Sequence, residues 1–191
     1  MARMSSAPAL RRTDRQLATE DCWALFRRAR CARVATVSPD GWPYVTPLLH
    51  LVLADALWFH TTAARGHFRG NVDAGGRASV VCDEPGEVYP YGRFECDTGL
   101  AYSSAIAFGT LSVVDDDAQR AAFFDALMAR HADPAWGRPK SFYPRLHQVT
   151  VYRMAVDRMT GKQTVLPDLA DQWPHRDRTV TPDAVAPGSA P

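Results

Sequence analysis

Apolar and β-branched residues fall in six runs along the chain, each bounded by turn formers, and three other stretches repeat their apolar positions at helical spacing. Val34-Ala35-Thr36-Val37 predicts a strand that Ser38-Pro39-Asp40-Gly41 ends, because Pro fixes φ, Asp bonds locally and Gly tolerates positive φ. A second strand is expected over about residues 42–53, turned at Ala54-Asp55, and a third over 56–61. Pro43 and Pro47 interrupt the second, which predicts an edge or a bulge there. Residues 77–83, 102–114 and 148–159 read as three more strands. In 102–114, Ile106, Phe108 and Thr110 alternate with Ala105, Ala107 and Gly109, so one face is bulky and the other lets a sheet or a flat ring approach closely.

Thr19 is placed to cap a first helix whose face is Cys22, Leu25, Phe26 and Ala29, with Glu20 and Asp21 in its first turn and Arg27, Arg28 and Arg30 in its last. A short second helix is expected over 64–72, ended by Asp73-Ala74-Gly75-Gly76. A third runs from the cap Asp115-Asp116-Asp117 to about His131, with Ala118, Ala121, Phe124, Leu127 and Met128 as its apolar face. Residues 84–100 read as a long connection, a lid or a dimer contact. A loop centred on Trp136 and one helical turn over 141–146 precede the last strand. Residues 1–13 and 168–191 read as disordered tails around one domain, 14–167.

Composition narrows the function. Among the 191 residues, 22 Lys and Arg stand against 21 Asp and Glu, a balance that gives no argument for nucleic acid or a membrane surface. No apolar run approaches the roughly 18–20 residues of a membrane span, and the N-terminus lacks the apolar core of a secretory signal, so a cytoplasmic location is expected. Cys22, Cys31, Cys82 and Cys96 fit neither CxxC nor a zinc ribbon and read as reduced thiols.

The candidate chemistry gathers after the third strand. Thr61, Thr62, Arg65, Gly66 and His67 supply hydroxyls, a guanidinium and backbone N–H groups that can converge on a phosphate. Arg65 can equally be a solvated surface residue. His60 ends an apolar run where a polar ring is unexpected, and can be either a proton donor or a packed histidine. His50 and His60 face each other if the Ala54-Asp55 turn closes with three residues, and lie on opposite faces if it closes with two. Even paired, they lack an obvious third metal ligand, and the acidic triplet reads as a helix cap, so no metal is expected.

The order Ala32–Val37, Asp40–Pro47, Leu57–Thr62, Arg65-Gly66, Ile106–Gly109 and Thr160–Lys162 resembles the pyridoxamine 5'-phosphate oxidase-like family of FMN-binding split barrels, in its 5-nitroimidazole-reductase-like branch. The resemblance implies a mainly β fold, a six-stranded antiparallel split β-barrel with peripheral helices, and a homodimer with FMN at the subunit interface. It implies that Thr46, Pro47 and Leu48 line the isoalloxazine edge through backbone groups, that His60 lies by flavin and substrate, and that Ser104, Lys162 and Trp136 join the cofactor site. Ala64-Arg65-Gly66 stands where the oxidase carries Ser-Arg-Lys, so one hydroxyl and one cation are missing, and the oxidase's substrate signature is not recognisable. The expected activity is reduction of a nitroaromatic or quinone-like acceptor with NAD(P)H. An F420- or haem-binding barrel and a non-enzymatic flavin protein are the alternatives.

Overall fold

The computed structural model describes residues 10–91 and 96–168. Six antiparallel strands close into a barrel in the order β1-β2-β3-β6-β5-β4; the sequence pattern predicts the six strands, and the family resemblance implies the barrel. They are β1 (Cys31–Val37), β2 (Pro43–Leu53), β3 (Ala56–Thr62), β4 (Arg77–Pro90), β5 (Thr98–Val114) and β6 (Val149–Thr164). The helices are α1 (Thr19–Arg28), α2 (His67–Asp73) and α3 (Asp117–His131). The expected tails fall for the most part outside the described residues.

The interior is filled by the inward positions of every strand. Ala32 and Val34, Leu57 and Phe59, Val80 and Cys82, Ala105 and Ala107, and Tyr152 and Met154 are all fully buried. The small face of β5 thus points inward, where the barrel is narrow, and Ile106 and Phe108 point out. α1 lays Cys22, Leu25 and Phe26 over one end of the barrel, and α2 lays Phe68 and Val72 over the other. A second core forms outside, where Phe123 and Leu127 of α3 cover Leu51, Ala56, Trp58 and Val151.

Several expectations are corrected. α1 begins at Thr19 itself, with Ala18 as N-cap and no side-chain cap bond. The face of α3 is rotated: Phe123 and Leu127 are buried while Met128 is exposed. Its cap is as expected, because the Asp116 carboxylate accepts from the Gln119 N–H at 2.7 Å. Within the connection expected over 84–100, of which residues 92–95 lie outside the described residues, the chain is largely paired. β4 and β5 continue as a two-stranded ribbon, with Val88 opposite Leu100 and Pro90 opposite Thr98. The register shifts inside that ribbon between Pro85 and Val88, where Gly86 and Glu87 together stand against Ala101, so what reads as turn chemistry leads into a bulge. The turn expected at 141–146 is replaced by a 3-10 turn over Leu146–Gln148, and β6 continues through Thr160-Gly161-Lys162 to Thr164.

Gly109 shows what the small face of β5 serves. A Cβ there would overlap the backbone carbonyl of Ala155 on β6, at the point where the β5–β6 register shifts. Gly109→Ala should lower the unfolding free energy by about 1–3 kcal/mol, the cost of overpacking, read as a lower urea midpoint. An unchanged midpoint would mean that the two strands separate easily there.

Candidate functional site

β2 changes neighbours along its length. From Pro43 to Leu49 it pairs with β1, whereas its pairing with β3 covers only His50 to Leu53. Among the described residues, one edge of Pro43–Leu49 therefore has no strand beside it, which accounts for the two prolines as an edge and not a bulge. The Ser38 N–H donates to the Trp42 carbonyl at 2.9 Å, which sets the alternation. Even-numbered residues of β2 bond to β1, and Pro43, Val45, Pro47 and Leu49 turn their backbone groups to the open edge. Both prolines sit where a missing N–H leaves no strand short of a donor. Among the described residues, the backbone groups without a strand partner at this edge thus belong to Val45 and Leu49, with the carbonyls of Pro43 and Pro47. Thr46 and Leu48 point their side chains inward: the Thr46 hydroxyl is buried without a partner, and Leu48 packs on the core. Pro47 points out, lining a cleft with Arg28, Arg33 and Glu84.

A polar corner lies where β3 hands over to α2. The Ala63 N–H bonds to the Gln148 carbonyl at 2.9 Å, which directs the chain outward through Arg65 and Gly66. Arg65 is three-quarters exposed and reaches Asp73 at 3.1 Å, while Arg69 Nε holds the same carboxylate at 2.7 Å. The His67 ring lies 5.6 Å from that of Tyr44, so the start of α2 touches the first turn of β2. Gly66 faces open space on its side-chain side. Thr62 is exposed, but Thr61 turns inward and its hydroxyl meets the Tyr152 hydroxyl at 3.2 Å. Of the expected phosphate group, Thr62, Arg65, Gly66 and His67 are together at the surface and Thr61 is not.

The remaining expected residues lie elsewhere. His60 sits under α3, its ring 5.8 Å from Phe123 and 5.3 Å from Phe124. Its Nδ1 is buried without a partner, and burial pushes its pKa below the ordinary value. Ser104 and Lys162 pair across β5 and β6 at the α1 end of the barrel, where Gly161 meets Cys22. The α2 end of β5 is near Leu111, whose N–H bonds to Gly76. At about 3.3 Å per residue, Ser104 lies roughly 23 Å from that end along its strand. Trp136 stands outside α3, in a loop held by the Asp133 carboxylate accepting from the Ala135 N–H. One protomer therefore does not bring the expected residues into a single cluster.

The turn at Ala54-Asp55 has two residues, since Leu53 pairs with Ala56 and His50 with Phe59. His50 consequently points into the barrel and His60 out of it, and no metal pair forms. Among the described residues no group of three His, Cys, Asp or Glu is placed to hold a metal ion. His50 is fully buried and its Nε2–H donates to the Phe26 carbonyl at 2.7 Å, tying β2 to the end of α1. Cys82 Sγ lies 3.9 Å from the same nitrogen. Sequence reasoning weighed His50 only as a ligand; its inward register becomes legible once the turn length is known.

The sequence model of the family described as pyridoxamine 5'-phosphate oxidase matches residues 18–163. Among solved structures, the FAD and haem binding protein of Mycobacterium smegmatis is similar at TM-score 0.68 and 23% identity, covering 93% of this chain and 94% of that one. A flavocytochrome from Azotobacter vinelandii is similar at TM-score 0.70 and 16% identity, covering 94% and 92%. A suspected 5-nitroimidazole antibiotic resistance protein from Bacteroides thetaiotaomicron is similar at TM-score 0.64 and 19% identity, covering 77% and 85%. A search of curated proteins finds no match. Among the described residues no helix is long and apolar enough to cross a membrane.

Burial lowers the His50 pKa from 6.5 to about 4. The unfolded chain takes up this proton at higher pH than the folded one, so the neutral ring stabilises the fold above pH 6.5. That contribution is lost as pH falls from 6.5 toward 4, up to about 3 kcal/mol. His50→Gln keeps a donor for Phe26 and removes the titration. Urea unfolding across this range should show a shallower loss of stability for the variant than for the wild type; equal slopes would mean that His50 does not titrate in this window.

Proposed function

Because the chain belongs to the pyridoxamine 5'-phosphate oxidase family, we propose that it is an FMN-dependent oxidoreductase acting as a homodimer. The observation that carries this reading is the open seam of β2 running into the corner of Thr62, Arg65, Gly66 and His67. An anionic phosphate suits the guanidinium and imidazole there, and a flat ring suits an edge whose backbone offers acceptors and only the isolated donors of Val45 and Leu49. The missing second cation of the oxidase pattern is offset by Arg69, within reach of the same Asp73 as Arg65.

A dimer is supported by what one protomer leaves uncovered. Val37 and Val45 are 55% and 57% exposed, and Ala35, Val81, Ile106 and Phe108 continue the same outward face half-buried. A two-fold contact lays two such faces together in opposite sense. It would bring Ser104 and Lys162 of one copy toward the Arg65 corner of the other, uniting residues that one chain holds at opposite ends. FMN would supply the electron transfer, and the protein would anchor the phosphate and position the ring. The acceptor would be a small nitroaromatic or quinone-like compound, with NAD(P)H as donor. His60, neutral and held between two phenylalanines, would act through the environment of the ring. The haem alternative is less favoured, because His50 is closed in and already bonded to Phe26.

The test is an FMN titration followed by flavin fluorescence. Arg65→Ala should weaken binding by about 1.5–3 kcal/mol, the worth of a charge-assisted bond. Asp73→Asn should tighten it several-fold at low salt, because Asp73 competes with phosphate for both arginines. An unchanged dissociation constant in Arg65→Ala, or weaker binding in Asp73→Asn, would remove this corner as the anchor. Sedimentation of Val45→Lys as a monomer, against a dimeric wild type, checks the interface.

A further inference from the structure

The last turns of α3 and the loop over 132–143 enclose a cavity of about 600 Å³ that the flavin reading does not use. Its volume is in the range of small-molecule sites. Its apolar walls are Met128 from the helix and Trp136 and Phe142 from the loop. These three are 39%, 54% and 66% exposed, much apolar surface for one place on a monomer. The cavity is at the C-terminal end of α3, which the Arg130 bond to the Ala29 carbonyl fixes beside α1. The Arg65 corner is at the other end of the barrel.

The polar groups of the cavity divide by whether they are already engaged. Asp125 accepts from the Tyr143 hydroxyl at 2.7 Å, and Asp133 accepts from the Ala135 N–H at 2.8 Å. Both carboxylates hold the loop in place. Burial, with the bond to Asp125 second, raises the Tyr143 pKa to about 12, so this hydroxyl keeps its proton. The two cations are differently placed. Arg138 lies over the Trp136 ring, 5.5 Å from its centroid, and Lys140 is at the rim. Among the described residues neither pairs with a carboxylate. A stacked guanidinium beside an open aromatic wall is an arrangement that receives a second flat group and a negative charge together.

We propose that this cavity is a second ligand site, taking a planar aromatic compound that carries a carboxylate or similar anion. The ring lies against Trp136 and Met128, and the anion meets Arg138 and Lys140. The site stands apart from the Arg65 corner, and it assigns Trp136 to this ligand and not to the flavin.

The experiment uses 2-naphthoate as probe, with 2-naphthylmethylamine and 2-naphthalenemethanol as the cationic and neutral counterparts, titrated by calorimetry into the full chain. Naphthoate should bind at least tenfold tighter than either counterpart. Arg138→Gln with Lys140→Gln should abolish that preference, Trp136→Ala should weaken naphthoate binding tenfold or more, and Arg65→Ala should leave it unchanged. Equal binding of the three probes, or indifference to the Arg138 and Lys140 changes, would overturn the proposal. Loss of naphthoate binding in Arg65→Ala would assign the probe to the corner beside α2 instead. Sedimentation is run on the same variants: a dimer that dissociates in Trp136→Ala would make this surface a contact between copies and would equally overturn it.

Discussion

Ala54 and Asp55 both stand at positive φ, 45° and 56°, the left-handed pair that a two-residue hairpin requires. Neither is glycine, so the conformation costs something locally and persists because the pairing around it is extensive. What it fixes is the phase of β2 against β3. With Leu53 opposite Ala56, His50 and Phe59 enter the barrel while Trp58 and His60 face α3. A slip of one residue would set His50 opposite His60 on one face and turn Phe59 to the other, so that the barrel interior would lose either Phe59 or the His50 contact with Phe26. The bond from His50 to Phe26 then links that phase to α1, so that the helix closing one end of the barrel is tied to the strand whose register the turn sets.

The same phase governs the surface chemistry. It agrees with the alternation that the Ser38–Trp42 bond sets at the other end of β2, which sends Val45, Pro47 and Leu49 to the edge away from β1 and turns the side chains of Thr46 and Leu48 inward. Side-chain identity and backbone availability alternate along β2, and a segment expected to act as three consecutive residues frees its backbone groups only at every second one. The corner at Arg65 is built differently, from a chain that leaves β3 and enters a seven-residue helix. Its two arginines share one carboxylate, so their charge is held locally but not buried.

The strands were legible because their apolar runs are separated by strong turn formers, such as Ser38-Pro39-Asp40-Gly41 and Asp73-Ala74-Gly75-Gly76. The ribbon of β4 and β5 was not, because Pro85 and Gly86 carry turn chemistry, and only pairing across the ribbon shows Pro85 within the strand and Gly86 and Glu87 as a bulge. Along that ribbon Tyr89 is buried against Gly99, a contact between residues whose pairing no local pattern announces. The face of α3 was misread because Phe123 and Phe124 are adjacent, and periodicity alone does not say which of two neighbouring phenylalanines enters the core. The candidate site residues were chosen by type and order, but their grouping depends on which barrel end each strand position reaches. That is a property of register, and one chain separates Lys162 from Arg65.

A barrel whose seam is open along part of one strand offers a template on which a foreign β-segment could be laid down. Prolines at positions 43 and 47 leave that template with a broken row of donors, so an incoming strand would find carbonyls without matching N–H groups and could not zip along it. The seam can therefore stay open to a small flat molecule while remaining a poor seed for fibrillar assembly, and replacing both prolines would remove that protection before it altered the fold itself.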